Sequence, residues 1–205
     1  MIISHSNKFI YFKAQKVAGT STQRFFEQFC DKNNDIIGWR GKEINRPKDV
    51  IWFNHKCPSK IKETLNDQNV WDNYFKFGNI RNPWDRVVSS YFYKKDTRHN
   101  IPHDISFEDF IKQKKQGKLK SLYEWFCIDE LQVDYKSNMY FIRFENLQED
   151  ISKICDILNL KPKEKLKHEN KSNRNTDYKT YYNKETKQIV EEIYQDDIRF
   201  FNYTY

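Results

Sequence analysis

The chain has 205 residues, which is enough for one domain with a substantial core and too few for two domains of ordinary size. Its formal net charge of +7 is spread along the chain, so it fits both a solvated surface and the steering of an anionic ligand. No apolar stretch approaches the roughly 20 residues that span a bilayer, and the first residues lack the pattern of a signal peptide. We therefore predict a single domain over residues 1–205, without a membrane span and located in the cytoplasm.

The cysteine and histidine residues show no metal-binding pattern. The four cysteines are Cys30, Cys57, Cys127 and Cys155, and no two of them form a C-x-x-C pair. No H-E-x-x-H sequence occurs either. We therefore predict reduced, mostly buried thiols and a chemistry that needs no metal ion.

Four apolar runs of strand length occur in the chain, and longer segments with helical spacing separate them. The runs lie at 8–13, 50–54, 75–80 and 139–144. An alternation of strands and helices favours a parallel sheet with helices on both faces. We therefore predict an α/β fold with a central parallel sheet of four to five strands flanked by helices.

The strand at 8–13 runs into a loop with a cation and several hydroxyl groups, followed by a helical segment. The loop reads Gln15-Lys16-Val17-Ala18-Gly19-Thr20-Ser21-Thr22. The free N–H groups and the positive dipole end of a helix start attract an anion, and nearby lysine and hydroxyl groups add hydrogen bonds. A Walker A loop would carry its lysine directly after the last glycine, whereas Lys16 precedes Gly19. The loop therefore predicts a phosphate site that differs from an ordinary ATP or GTP loop.

The strand at 75–80 leads to a second junction of the same kind. It continues as Arg81-Asn82-Pro83-Trp84-Asp85-Arg86-Val87-Val88-Ser89. Pro83 suits the first position of a helix, because the N–H group that proline lacks would have no partner there. Two phosphate sites in one chain predict a ligand with phosphate groups at both ends.

The later part of the chain carries signals for helix boundaries and for one long loop. Ser106 is the candidate cap of one helix, and Glu145 or Asn146 is the candidate cap of another. The apolar spacing predicts a final helix over 184–199. Residues 161–183 are polar and rich in lysine and asparagine, which predicts a surface loop.

At its two junctions the sequence resembles the sulfotransferase family, in particular the carbohydrate sulfotransferases. Family members carry P-K-T-A-G-T-[ST] in the first loop and R-N-P-[WFY]-[DE]-R at the second junction, followed by a helix with a serine near its second turn. Gln15 and Val17 replace the proline and the first threonine of the first motif, while its other residues remain. RFENL at 143–147 and the carboxy-terminal run extend the resemblance to nearly the whole chain. The resemblance implies a fold similar to that of the P-loop NTPases.

The resemblance also implies transfer of the sulfuryl group of 3′-phosphoadenosine 5′-phosphosulfate (PAPS) to a hydroxyl group of an acceptor. Such an in-line displacement depends on positioning and on stabilising the charge that shifts during transfer. Lys16 is expected to stabilise the leaving phosphate. The residues expected around the 5′-phosphate are Lys16, Gly19, Thr20, Ser21 and Thr22. Those expected at the 3′-phosphate are Arg81, Ser89 and Arg174.

A base must take the proton of the attacking hydroxyl, and His55 is the candidate. It follows the run at 50–54, and a residue at the end of a strand in an open α/β sheet points toward the ligand crevice. Many family members carry a histidine at this place. The second candidate is His103, in the loop before the helix that Ser106 would cap. The structural alternative is a histidine that only packs at a strand end.

Several residues at the second junction also have structural interpretations. Arg81 could pair with Asp85 or Asp72 instead of a phosphate. Arg86 is expected in a structural ion pair. Trp84 could stack on adenine, although an aromatic residue of this chain is more often part of the core.

The acceptor is expected to be a carbohydrate, because the resemblance is to carbohydrate sulfotransferases. Its pocket is expected in the loops 32–48, 97–105 and 112–125, where lysine and arginine residues would suit an acidic glycan. The expected partners are therefore a small nucleotide donor and a glycan, and no nucleic acid.

Three other functions fit parts of the sequence. A divergent nucleotide kinase or NTPase would also bind phosphate, but the chain lacks G-K-[ST] and an aspartate that ends an apolar strand. A basic nucleic-acid-binding protein would use lysine and aromatic side chains, but the charge here is scattered. A family member that binds PAPS without transferring sulfate would fit the changes at Gln15 and Val17. We expect an active enzyme, because those changes leave Lys16 and the hydroxyl groups in place.

Overall fold

The computed structural model describes residues 1–31, 33–39, 42–44, 55–96, 102, 104–114, 120–131, 139–167 and 174–205. The chain divides into two compact units. The first unit comprises Met1–Ile80 and Trp125–Glu169, and the second unit comprises Arg81–Glu124 and Asn170–Tyr205. A single domain over 1–205 stays a prediction.

A six-stranded sheet forms the centre of the first unit. Its strands are β1 (Ile2–Ser4), β2 (Phe9–Phe12), β3 (Ile36–Trp39), β4 (Lys42–Ile44), β5 (Phe75–Ile80) and β6 (Met139–Arg143). Among the described residues their spatial order is β4-β3-β1-β2-β5-β6. β2, β5 and β6 run parallel to one another, whereas β1, β3 and β4 join by antiparallel pairing.

The parallel strands lie in a core that is filled by aromatic rings. All four residues of β2 are buried, and its Tyr11 is paired with Phe77 of β5. Phe26, on helix α1 (Gly19–Glu27), packs against Phe77 with 4.7 Å between the ring centroids. A run of consecutive buried apolar residues is typical of a parallel strand whose two faces are both covered. Large rings supply the buried area that such a core needs.

A buried carboxylate holds the antiparallel part of the sheet. Asp35 is completely buried, and it accepts hydrogen bonds from the hydroxyl group of Ser4 at 2.8 Å and from the backbone N–H groups of His5 and Ser6 at 2.7 and 3.0 Å. The N–H group of Asp31 also donates to it, at 2.9 Å. These bonds compensate for the cost of burying a charge. They fix the turn between β1 and β2 beside the start of β3.

The predicted α/β class, with helices flanking a central sheet, is confirmed. Three of the predicted strands correspond to β2, β5 and β6, and the fourth, at 50–54, lies outside the described residues. The described sheet has six strands rather than four to five, because β1, β3 and β4 add an antiparallel half. Part of the segment 32–48, which was predicted as an acceptor loop, therefore forms β3 and β4. Runs of three or four residues are too short to show a periodicity in the sequence.

The remaining helices divide between the units. They are α2 (Pro58–Leu65), α3 (Gln68–Asn73), α4 (Pro83–Asp96), α5 (Phe107–Lys114), α6 (Leu122–Trp125), α7 (Ile128–Leu131), α8 (Leu147–Ile157), α9 (Lys184–Ile193) and α10 (Gln195–Phe200), with 3₁₀ helices at Phe144–Asn146 and Tyr178–Tyr181. In the second unit, α4, α5 and α9 enclose an apolar cluster. Its buried members include Trp84, Tyr91, Phe110, Val190 and Tyr194.

The helix boundaries agree with the sequence signals in part. The hydroxyl group of Ser106 accepts a hydrogen bond from the N–H group of Asp109 at 3.0 Å, which confirms it as the cap of α5. Asn146 precedes α8 without a capping hydrogen bond from its side chain. The helix predicted over 184–199 is divided at Tyr194 into α9 and α10, and Asn183 begins α9 with a capping box.

Candidate active site

The first predicted phosphate loop lies between β2 and α1 in the first unit. Residues 13–18 connect the two elements, and Gly19 and the three hydroxyl residues that follow it form the first turn of α1. Lys16 and Ala18 both adopt a left-handed backbone conformation, with φ of 63° and 62°. Ala18 is the residue before α1, and it has no side chain that could cap the helix. The N–H groups of the first turn are therefore not capped by the preceding side chain, which leaves the helix start suited to an anion.

Gly19 allows the loop to fold back onto β2. A Cβ atom at this position would lie 2.8 Å from Cγ of Lys13 and 3.3 Å from both the carbonyl oxygen of Ala14 and the hydroxyl group of Tyr11. Real Cβ atoms essentially never approach as closely as the first of these distances. The glycine of the motif therefore has a steric role.

The three hydroxyl residues that follow Gly19 differ in burial. Thr20 is half-buried, Ser21 is 3% exposed and Thr22 is completely buried. They differ because successive residues of a helix point about 100° apart. The hydroxyl oxygen of Thr22 accepts a hydrogen bond from the Nδ2 atom of Asn79 at 2.9 Å. Lys16 is half-buried.

His55 lies beside this loop and is held in one tautomer. Its Nδ1 atom is 2.9 Å from the backbone carbonyl oxygen of Lys13. Because a carbonyl oxygen only accepts hydrogen bonds, Nδ1 carries the hydrogen and Nε2 carries the lone pair. Burial, helped by the charge of Lys13, lowers the pKa of His55 to about 4. The imidazole is therefore neutral at neutral pH and able to accept a proton at Nε2. His103, the second candidate base, lies outside the described residues.

Lys13 was not expected from the motifs, yet it contacts both His55 and the position of Gly19. Lys13 is only 2% exposed although it carries an ammonium group. Burial lowers the pKa of Lys13 to about 8, while the carboxylate of Glu27 acts in the opposite direction. Its carbonyl group orients His55, and its side chain contacts the position of Gly19. The sequence signal that could have pointed to Lys13 is the position of this lysine directly after the apolar strand β2.

In the second unit, two predicted phosphate-binding arginines share one carboxylate. Arg81 donates from both Nε and Nη2 to Oδ2 of Asp85, at 2.8 Å in each case. Arg174 donates from Nη2 to Oδ1 of Asp85 at 2.7 Å. The side chains of Arg81, Asp85 and Arg174 are only 6%, 10% and 10% exposed. Two guanidinium groups and one carboxylate leave a net positive charge in a nearly buried place.

One donor of this cluster has no hydrogen-bond acceptor among the described residues. The Nη1 atom of Arg174 is buried and makes no hydrogen bond within the described part of the chain. A buried donor without a partner costs free energy, so such a group in a native fold calls for an explanation. An oxyanion that binds at the cluster would satisfy the donor and neutralise the excess charge. Ser89 is half-buried on α4, one helical turn after Asp85 and on the same face of the helix.

Two other residues of the second junction have structural roles, and Arg81 makes one of the ion pairs expected for it. Arg86 is 3% exposed, lies 3.9 Å from the carboxylate of Asp197 and donates to the carbonyl oxygen of Lys120 at 3.0 Å. This buried ion pair agrees with the prediction for Arg86. Trp84 is 2% exposed and packs in the apolar cluster of the second unit, as predicted for a core residue. Arg81 pairs with Asp85, the first of its two proposed aspartate partners.

The described residues offer neither a metal centre nor a helix that could cross a membrane. Within them, histidine, cysteine and carboxylate side chains form no group of three or more that could hold a metal ion. No described helix combines the length and the apolar character that crossing a membrane requires. None of the four cysteines forms a disulfide, and Cys127 and Cys155 are the buried ones.

Known proteins are similar to this chain in sequence and in fold. An uncharacterized protein of Archaeoglobus fulgidus is 35% identical over 94 residues, which are 45% of this chain and 74% of that protein. The fold is similar to the crystal structure of a mouse sulfotransferase complexed with PAP, with a TM-score of 0.62, 14% identity and coverage of 96% of this chain and 86% of that one. It is also similar to retinol dehydratase in a complex with retinol and PAP, with a TM-score of 0.56, 14% identity and coverage of 99% and 84%.

At 14% identity, the likeness to these two solved structures shows a similar fold and nothing further. The sequence pattern of the sulfotransferase family, however, matches residues 1–204, which is nearly the whole chain. This match confirms the resemblance that the two junctions indicated. The chain belongs to the sulfotransferase family.

Proposed function

We propose that the chain transfers the sulfuryl group of PAPS to a hydroxyl group of a carbohydrate. The observation that carries the proposal is the unpaired Nη1 atom of Arg174 in a buried cluster of net positive charge. A 3′-phosphate distinguishes PAPS from ATP, and this cluster offers a second anion site of the kind that a 3′-phosphate needs. The two solved structures compared above are complexes with PAP, adenosine 3′,5′-bisphosphate, which is PAPS after loss of its sulfuryl group.

The proposed donor site uses residues of both junctions. The first turn of α1, with Gly19, Thr20 and Ser21, receives the 5′-phosphate at the positive end of the helix dipole, and the completely buried Thr22 supports that turn from the core. Arg81, Ser89 and Arg174 receive the 3′-phosphate. PAPS, when bound, supplies the sulfuryl group and a phosphate leaving group. Lys16 stabilises the negative charge that builds up on that leaving group, which is the main contribution expected of a protein in such a transfer.

His55 is the proposed general base. Its Nδ1–H is held by the carbonyl group of Lys13, so the Nε2 lone pair has a fixed direction. A neutral imidazole in this tautomer takes the proton of an attacking hydroxyl, and orientation by a second group is typical of catalytic histidines. The low pKa of about 4 keeps the base unprotonated over the whole neutral range. A dianionic nucleotide close by would raise this pKa and strengthen the base.

The carbohydrate acceptor and the cytoplasmic location are parts of the same proposal. An acidic glycan would be attracted by a chain whose net charge is +7. The absence of disulfides among the four cysteines fits a reducing compartment.

Thermal unfolding with different nucleotides tests the donor site. At about 100 times its dissociation constant, a ligand adds roughly 2.7 kcal/mol to the free energy of unfolding, which is a shift of several degrees for a chain of this size. We expect a shift with adenosine 3′,5′-bisphosphate and none with ATP and Mg²⁺. A shift with ATP and Mg²⁺ alone would favour a kinase or NTPase. No shift with either, together with salt-dependent binding of an oligonucleotide, would favour a nucleic-acid-binding protein. Transfer is then tested with labelled PAPS and a panel of neutral and acidic glycans.

A further inference from the structure

A chain of buried polar side chains crosses the core of the first unit directly behind the first phosphate loop. The hydroxyl group of Tyr11 on β2 lies 2.6 Å from Oδ1 of Asn79 on β5, and Nδ2 of Asn79 lies 2.9 Å from Oγ1 of Thr22 on α1. The hydroxyl group of Tyr11 also lies 3.2 Å from the carbonyl oxygen of Gly19. Tyr11, Asn79 and Thr22 are all 0% exposed.

The distances from Asn79 to Tyr11 and to Thr22 show which group donates in each of these two hydrogen bonds. A separation of 2.6 Å is typical of an O–H group that donates to oxygen, whereas 2.9 Å is typical of an N–H donor. Tyr11 therefore donates to the amide oxygen of Asn79, and the amide nitrogen donates to Thr22. The hydroxyl group of Thr22 also lies 3.5 Å from the carbonyl oxygen of Ala18.

These bonds fasten the place where α1 begins. Ala18 has a left-handed backbone, and its carbonyl oxygen also accepts the N–H group of Thr22 at 3.2 Å. A left-handed non-glycine residue costs free energy and persists only where its surroundings hold it. The contacts of Tyr11 and Thr22 with Gly19 and Ala18 supply such surroundings. The first turn of α1 is thus tied to two neighbouring parallel strands.

Stability alone gives little reason for polar groups at these positions. Tyr11 is surrounded by an apolar core and lies 5.2 Å from Phe77 between ring centroids. Replacing both partners of a buried hydrogen bond by apolar groups of similar shape is often nearly neutral for stability. A fully satisfied polar network instead selects one arrangement of its surroundings.

We infer that Tyr11 and Asn79 are positioning residues of the 5′-phosphate site, which act through Thr22 and Gly19 to hold the first turn of α1 in its anion-binding arrangement. The inference rests on the proposed function. Because all three side chains are completely buried, they act from behind the loop, and Thr22 serves the loop rather than the nucleotide.

The test uses substitutions that remove one polar group and keep the shape of the side chain. Tyr11→Phe removes the hydroxyl group at one end of the hydrogen-bond network, and Thr22→Val removes the hydroxyl group at its other end. Tyr140→Phe is the matched control, because the hydroxyl group of Tyr140 donates to Asp150 at 3.0 Å in the same unit but outside this network. Calorimetric titration then measures the affinity of each protein for adenosine 3′,5′-bisphosphate, adenosine 5′-phosphate and adenosine 3′-phosphate.

Tyr11→Phe and Thr22→Val should each weaken the two ligands with a 5′-phosphate by roughly five- to tenfold, the loss expected for one buried hydrogen bond. Their affinity for adenosine 3′-phosphate should stay within about twofold of wild type. The double variant should lose less than the product of the two single losses, because both act through one network. Tyr140→Phe should bind all three ligands as wild type does.

Two results would overturn the inference while the proposed function stands. One is wild-type affinity of both variants for the 5′-phosphate ligands, and the other is an equal loss for all three ligands, which would indicate a general effect on folding. Circular dichroism identifies a variant that does not fold, and the remaining variant then decides. A wild-type protein that binds none of the three nucleotides would instead overturn the proposed function, and the inference with it.

Discussion

The imidazole of His55 donates its Nδ1 hydrogen to the backbone carbonyl group of Lys13, 42 positions earlier in the chain, at 2.9 Å. The contact joins the predicted base to the start of the loop that carries Lys16. A backbone acceptor cannot be removed by substitution of Lys13, so the contact is best tested at His55.

His55→Asn should reduce transfer from PAPS by about 10²- to 10⁴-fold, the range typical for loss of a general base. Asparagine is suitable because it tolerates the left-handed backbone of His55, whose φ is 70°. Binding of adenosine 3′,5′-bisphosphate should remain within about twofold. His5→Asn is the control, because His5 contacts Tyr74 at 2.9 Å in the same unit and lies outside the motifs. A parallel loss of nucleotide binding in His55→Asn would identify a structural histidine.

The lowered pKa of His55 predicts a contribution to stability that depends on pH. The unfolded chain binds this proton with a pKa of about 6.5, and the folded chain with a pKa of about 4. The contribution is therefore fully present above about pH 6.5 and is lost as the pH falls through 4. Urea unfolding at pH 7 and at pH 4 should show a smaller loss of stability for His55→Asn than for wild type. Equal losses in the two proteins would contradict the assigned shift.

Lys16→Ala should reduce turnover by about 10²- to 10³-fold, as expected when a donor to the developing negative charge is removed. Affinity for adenosine 3′,5′-bisphosphate should fall much less, since the main effect is on the transition state. Lys8→Ala removes the same charge at an exposed position before β2 and should leave the kinetics unchanged. Turnover of Lys16→Ala near wild type would remove Lys16 from the catalytic residues.

Arg174→Ala and Arg81→Ala should weaken adenosine 3′,5′-bisphosphate by about ten- to a hundredfold, the range of a hydrogen bond to a charged group, and adenosine 5′-phosphate hardly at all. Arg174→Ala is the more direct test, because it removes one contact with the buried Asp85 whereas Arg81→Ala removes two. Arg199→Ala, an equal change of charge at an exposed residue of α10, is the control. Titration calorimetry measures the affinity of each variant for both nucleotides. An equal loss of affinity for the two nucleotides would mean that these arginines do not bind the 3′-phosphate.

The sequence predicted those elements that extend over enough residues to show a pattern. The run at 75–80 became β5 with the predicted bounds, and Ser106 caps α5, because both signals are local. β1 and the turn after it depend on Asp35, which accepts hydrogen bonds from Ser4, His5 and Ser6, 29 to 31 positions earlier in the chain. No local pattern could have revealed that contact.

The candidate site shows the same limit. The motifs named Gly19 and Arg81, but the reason for Gly19 is its closeness to Lys13, and the partners of Arg81 become visible only in three dimensions. The family resemblance led us to expect Thr20, Ser21 and Thr22 alike around the 5′-phosphate. Helix geometry turns Thr22 into the core, where Asn79 binds it. The tautomer of His55 likewise depends on a carbonyl group that the sequence does not reveal.

Asp85 has a consequence for the thermodynamics of binding. It fixes the guanidinium group of Arg174 through a contact that belongs to the protein itself, over a separation of 89 positions in the chain. Ordering a long, flexible side chain costs up to about 2 kcal/mol of conformational entropy, and an interface that must order its side chains on contact loses that amount of affinity. Here the entropy of the Arg174 side chain is lost when the chain folds, so the proposed 3′-phosphate would meet a donor group that is already in place.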